Sequence, residues 1–119
     1  MEQVVAALDV GGTSITSGVV RGDTAGQPTV ALGPALPTLA QADAEAILSR
    51  LSEMAEHALT LATSVQGLAV AICGPFDTEA GVSRMRGVAK FESIYGIDLR
   101  RVLRERTSIG DRPIRFARD

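Results

Sequence analysis

Three short segments hold residues able to do chemistry. The first is Asp9-Val10-Gly11-Gly12-Thr13. Adjacent glycines permit positive φ and leave no side chain above the turn, so backbone N–H groups can approach a phosphate directly. Thr13 can add a hydroxyl donor, and Asp9 could hold a hydrated Mg²⁺ beside that phosphate. The same residues suit an ordinary glycine hairpin equally well. They form neither a P-loop nor a GxGxxG fingerprint, because Thr13 follows Gly12 and no helix opens there. The second segment, Cys73-Gly74-Pro75-Phe76-Asp77, follows an apolar run at a position where α/β sheets often bind ligands; it reads also as a plain strand exit. The third is Asp119. An aspartate of ordinary acidity is ionised at neutral pH and could accept a hydroxyl proton within hydrogen-bond reach, although a carboxylate at a chain end needs no such role.

Other reactive residue types read as structural. His57 falls on a polar helix face with no Cys or His nearby to complete a metal site. Cys73 lacks an adjacent base and suits a small core position. Arg100, Arg101, Arg104 and Arg106 make a basic helix, with Arg112, Arg115 and Arg118 beyond it. Without interleaved aromatics they read as a solvated face rather than an anion-binding patch.

Positioning these segments falls to a predicted order β-β-β-α-β-α-β. Val4 to Val10 is almost wholly apolar and suits a strand buried on both faces. Gly11-Gly12 breaks it, and Ser14 to Val20 resumes as the second arm of a hairpin. Arg21-Gly22-Asp23 and the following residues form a loop. Thr29 to Leu32 is a short third strand, punctuated by Gly33, Pro34 and Pro37. From Asp43 the period changes: Ile47, Leu51, Met54, Ala58 and Leu61 define an amphipathic helix with Asp43 as N-cap and Arg50, Glu53, His57 and Thr60 on its polar face. Gly67 to Cys73 is a continuous apolar run fit for a central strand. Asp98 to Arg106 predicts a second helix capped by Asp98, and Pro113 to Ala117 a last strand. Three antiparallel strands followed by strands that each arrive after a helix imply a mixed sheet.

Composition narrows the classes. The chain has 119 residues, 45% of them apolar, which suits one domain (1–119) able to bury its own core. Twelve basic against 14 acidic residues give a net charge of −2, which offers no general attraction to nucleic acid or to an anionic membrane. One cysteine suits a reducing compartment, and no segment reads as a signal peptide or membrane span, so a cytoplasmic protein is expected.

The order of these motifs resembles the N-terminal domain of ROK family sugar kinases. Leu8-Asp9-Val10-Gly11-Gly12-Thr13 comes first, then Gly74-Pro75-Phe76-Asp77 with Gly81-Val82. Gly87-Val88-Ala89-Lys90-Phe91 and Tyr95-Gly96-Ile97-Asp98-Leu99 follow, and Pro113-Ile114-Arg115-Phe116 precedes Asp119. The likeness covers nearly the whole chain. It implies an α/β, ribonuclease H-like (actin-like ATPase) domain lacking the family's second domain. Asp9, Gly11, Gly12 and Thr13 would then face ATP and Mg²⁺, with Asp9 as the metal-side carboxylate. Gly74, Pro75 and Arg118 would line the sugar cleft, and Asp119 would be the catalytic base for transfer of the γ-phosphate to a hexose hydroxyl. The resemblance further implies a small-molecule sugar and ATP as partners, with a homodimer as one state open to the complete protein.

Two residues depart from the family pattern. Arg118 stands where the family has Asn, and a guanidinium has no acceptor with which to reproduce an amide's hydrogen bonding. Cys73 stands where the family has Pro. The family's second phosphate motif, adenosine pocket, sugar-gripping Glu and His, and Cys-rich zinc site have no counterparts in these residues, so the 119-residue chain alone is expected to be inactive. A related class, the ROK-type transcriptional repressors, carries a DNA-binding helix-turn-helix ahead of the first strand, whereas here only Met1, Glu2 and Gln3 precede Val4. A non-catalytic sugar-binding relative is the other alternative.

Overall fold

The computed structural model describes residues 2–22 and 26–118. Asp23, within the expected loop, and Asp119, the expected base, lie outside the described residues. Strands β1 (Gln3–Val10), β2 (Ser14–Gly22) and β3 (Thr29–Pro37) precede helix α1 (Ala44–Leu59) and strand β4 (Gly67–Ile72). A two-residue-per-arm hairpin, β5 (Phe76–Asp77) and β6 (Val82–Ser83), and a 3₁₀ turn (Glu92–Ile94) come next, then α2 (Leu99–Arg106) and β7 (Ile114–Arg118). The five long strands form one sheet in the order β3-β2-β1-β4-β7. β1 to β3 are antiparallel neighbours, while β4 and β7 join β1 in parallel. The expected mixed sheet is present, with the small hairpin and the 3₁₀ turn as additions.

Registry decides what the sheet buries. Ile15, Val10 and Ile72 share one cross-strand row, and Ser17, Leu8, Val70 and Phe116 share another. Because side chains alternate between faces, these rows all point to one side. There they meet Ile47, Leu51, Met54 and Ala58 of α1 in a single core. Burying a side chain of this size contributes about 1.5–3 kcal/mol. Asp43 caps α1 as expected, its carboxylate accepting the Ala46 N–H at 2.9 Å, and Asp98 accepts the Arg101 N–H at 3.0 Å at the start of α2. Among the described residues no helix is long and apolar enough to cross a membrane.

Three expectations need correction. β1 is buried on one face only: Val5 and Ala7 are half-buried and Asp9 is exposed, because no described helix covers that side of the sheet. Val30 and Leu32 of β3 continue this open face at 62% and 74% exposure. β3 also runs through Gly33 and Pro34 to Pro37 rather than stopping at Leu32. A bulge absorbs them: Thr16 pairs with Ala35 and Gly18 with Leu32, leaving Gly33 and Pro34 opposite Ser17. The Ser17 hydroxyl donates to the Pro34 carbonyl at 2.8 Å. At an edge and inside a bulge, the missing proline N–H costs no ladder bond.

The arginines are the third correction. Arg100 donates to Glu79 O at 2.9 Å and lies over the Phe116 ring, and Arg104 donates to Gly110 O and Arg112 O at 2.7 and 2.8 Å. Arg112 reaches Ser108 O at 2.7 Å and Val65 O at 3.1 Å. Arg106 forms a two-pronged pair with Glu45 at 2.7 and 3.0 Å, tying α2 to the start of α1. Arg100, Arg104 and Arg112 are thus spent on carbonyls around α2 and Arg106 on the Glu45 carboxylate. Arg101, paired with Glu105 at 3.2 Å, and Arg115 and Arg118 of β7 lie on the surface as expected.

Candidate functional site

Parallel pairing brings the carboxyl ends of β1, β4 and β7 to one rim of the sheet. Val10 pairs with Ile72 and Ile72 with Arg118, so the residues that follow each strand end emerge side by side. Ligands bind in this crevice in open α/β sheets, where strand ends present backbone groups and loops supply side chains.

The first loop on this rim is the turn Gly11 to Thr13, one residue longer than a two-glycine turn. The Gly11 N–H donates to Ser14 O at 2.9 Å, and a Cβ on Gly11 would stand 3.2 Å from that same oxygen. Thr38, fully buried just after β3, fastens the turn from below: its hydroxyl donates to Gly11 O at 2.8 Å and its N–H to Thr13 O at 3.0 Å. Among the described residues the N–H groups of Gly12 and Thr13 donate to nothing, and both residues are exposed. The Gly11 and Thr13 carbonyls are thus used internally while the Gly12 and Thr13 N–H groups have no partner among the described residues, which leaves two donors available to an anion. Asp9 lies at the end of β1, exposed on the open face of the sheet. No described group of three or more His, Cys, Asp or Glu could enclose a metal ion. A hydrated Mg²⁺ needs only one or two carboxylates beside a phosphate, and Asp9, exposed and unpaired among the described residues, fits that lesser demand.

The second loop is Cys73-Gly74-Pro75, leaving β4. Cys73 is half-buried against the core and Pro75 is exposed, and the Pro75 carbonyl accepts the Arg84 N–H at 3.2 Å. A Cβ on Gly74 would lie 3.2 to 3.3 Å from Nε, Cδ and Cζ of Arg118, so the guanidinium crosses directly over this glycine. Asp77 is not at the rim's service: its carboxylate accepts the Ala80 N–H at 2.9 Å in the β5–β6 turn. His57 is exposed, its Nε2 4.0 Å from a Glu53 carboxylate oxygen, as expected of a surface residue.

Asp9, Gly11, Gly12, Thr13, Gly74, Pro75 and Arg118 therefore share one rim, although the sequence places them in three separate segments. Thr38 and Lys90 belong there too. Nothing local singled out Thr38, which does its work through a backbone fold-back. Lys90 carried a signal in composition: it is the only lysine of the chain, the other eleven basic residues being arginines. A Cβ on Gly12 would meet the Lys90 Cδ at 3.8 Å.

No family profile matches the sequence, and no curated protein matches it. Solved structures do. A ROK hexokinase from Thermus thermophilus is 28% identical, with a TM-score of 0.67 over 99% of this chain and 35% of its own. A glucokinase from Parabacteroides distasonis is 24% identical, with a TM-score of 0.70 over 98% of this chain and 30% of its own. A ROK family glucokinase from Streptomyces griseus, solved in complex with glucose and AMPPNP, is 18% identical, with a TM-score of 0.67 over 99% of this chain and 33% of its own. The chain thus has the ribonuclease H-like fold of these kinases and spans about a third of their length.

Proposed function

We propose that this chain, whose structural neighbours are ROK hexokinases and glucokinases, is the N-terminal, phosphate-handling part of an ATP-dependent sugar kinase. The observation that carries the reading is the pair of N–H groups at Gly12 and Thr13 without partners among the described residues, on the same rim as Asp9, Gly74 and Arg118. In this reading the turn cradles phosphate oxygens, as its unfilled donors allow. Asp9 would hold Mg²⁺, which when bound neutralises charge on the phosphate chain. Gly74 and Pro75 form one wall of the sugar cleft, and the Arg118 guanidinium, lying across Gly74, donates to sugar hydroxyls but accepts from none.

Asp119 is proposed as the general base. Its carboxylate takes the proton of the acceptor hydroxyl as that oxygen forms a bond to the γ-phosphorus, and the bond from that phosphorus to the bridging oxygen breaks to release ADP. Such a transfer needs mainly positioning and charge neutralisation, for which backbone donors and one carboxylate suffice on this side of the cleft. The 119-residue chain alone turns over negligibly, because a second domain is needed to close over substrate and exclude water.

Calorimetric titration of the chain with AMPPNP and Mg²⁺, and a coupled ADP-release assay over a hexose panel on the complete reading frame, test this directly. Binding by the chain together with sugar-dependent turnover by the longer protein is the expected result. Absence of turnover with every hexose would overturn it.

A further inference from the structure

The α2 arginines are bound to carbonyls or carboxylates, whereas Lys90, half-buried, has no carboxylate or carbonyl partner among the described residues. Among the same residues Arg84, Arg115 and Arg118 also lack such a partner, but all three are exposed. Its stem lies against the Gly11–Thr13 turn, with Cδ 3.8 Å from where a Cβ on Gly12 would be. With its stem packed on the turn and no counter-charge for its ammonium among the described residues, that charge is available to an anionic ligand at the turn.

The segment that carries it is held from several sides. Ala89 and Phe91, its two neighbours, both take left-handed backbone conformations, at φ 61° and 56°. Non-glycine residues persist there only when their surroundings over-determine them. Here Phe91 is fully buried and its N–H donates to Ala40 O at 2.9 Å, while the Gln41 amide donates to Ala89 O. The Glu92 carboxylate accepts the Val88 and Ala89 N–H groups at 2.8 and 3.1 Å. Lys90 is thus presented from a braced position next to two backbone donors that lack partners among the described residues.

We propose that Lys90 is a further phosphate-binding residue, its ammonium holding the phosphate group cradled by the Gly12 and Thr13 N–H groups. This rests on the phosphate-site reading above and adds a side-chain cation to it. The partner is a condensed phosphate chain, whether of a nucleotide or of polyphosphate.

The test compares the intact chain with Lys90→Met, which keeps the stem over Gly12, and Lys90→Arg, which keeps the charge. Tripolyphosphate and AMPPNP are each titrated at fixed ionic strength. Lys90→Met should weaken both by about tenfold, the scale of one charge-assisted hydrogen bond, with Lys90→Arg recovering most of the loss. A second measurement needs no variant. Because Lys90 is the single lysine, acylation by an N-hydroxysuccinimide ester followed by mass spectrometry reports on it alone, with the α-amino group as internal reference. Tripolyphosphate should slow its acylation. Unchanged affinity in Lys90→Met, unaltered acylation in the presence of bound tripolyphosphate, or weakening of AMPPNP without weakening of tripolyphosphate would each overturn the Lys90 assignment while leaving the site. Failure of the unmodified chain to bind either ligand would overturn the site itself and Lys90 with it.

Discussion

Thr38 grips the Gly11 turn at two points, its hydroxyl on Gly11 O at 2.8 Å and its N–H on Thr13 O at 3.0 Å. Replacing Thr38 by Val keeps the shape and the N–H bond but leaves the Gly11 carbonyl without the hydroxyl. The expected cost is about 1–3 kcal/mol in stability, from a buried acceptor losing its partner. A lowered urea midpoint with unchanged slope is the readout, and AMPPNP affinity should fall with it as the turn loosens.

Gly12 separates binding from folding. A Cβ there meets only the Lys90 stem at an ordinary contact distance of 3.8 Å, and Gly12 is not among the positive-φ glycines. Gly12→Ala should therefore change the thermal midpoint little while lowering affinity for AMPPNP, since in the proposed site the methyl group would stand where phosphate approaches. Equal affinity in the variant would argue for a plain hairpin turn.

Gly33 should behave in the opposite way. A Cβ on it would come within 2.7 Å of Ser17 Oγ and 2.8 Å of Leu61 Cδ1, inside the β3 bulge and far from the rim. Gly33→Ala is expected to destabilise by about 1–3 kcal/mol through overpacking. Calorimetry gives the loss, and ligand affinity of the folded fraction should be unaffected.

The Glu45–Arg106 clamp gives an acid dependence. Hydrogen bonds from Arg106, then one from Ser49, hold the Glu45 carboxyl down to about 2 from 4.5. The folded-state value lies below the ordinary one, so the contribution is complete above about pH 4.5 and fades as pH falls through about 2. With Glu45 69% exposed, solvent and salt screen much of it. Glu45→Gln should flatten the fall of the thermal midpoint across that window, and high salt should shrink the difference between the two proteins.

Much of this architecture was readable from periodicity. The α1 stripe from Ile47 to Ala58, both Asp caps, and the parallel addition of β4 and β7 follow from residue spacing and capping chemistry. Pro34 misled because a proline forbids a central ladder bond but not a bulge on an edge, and edge position is a property of the whole sheet. The apolar β1 misled in a similar way: Val5 and Ala7 are compatible with a covered face, but their spacing carries no information on whether a helix arrives there. Asp9, Gly11, Gly12, Thr13, Gly74 and Arg118 were visible as chemistry-bearing types, and parallel registry brings them to one rim. Thr38 was not, and Lys90 stood out only as the single lysine, because each meets the turn across a sequence distance that no local pattern encodes.

The bulge in β3 has a bearing on solubility. β3 is one outer strand of the sheet, and it carries the apolar side chains Val30 and Leu32 at the surface, a combination that invites another chain to pair along it. Pro34 supplies no N–H to such a visitor, and the extra residue beside it throws the outer rung out of step, so an added strand could zip only a few residues before losing register. At the opposite margin, β7 places the exposed charges of Arg115 and Arg118 where a second copy would have to set its own like charges. The two margins resist sheet-to-sheet growth by different means, one by broken spacing and the other by repulsion.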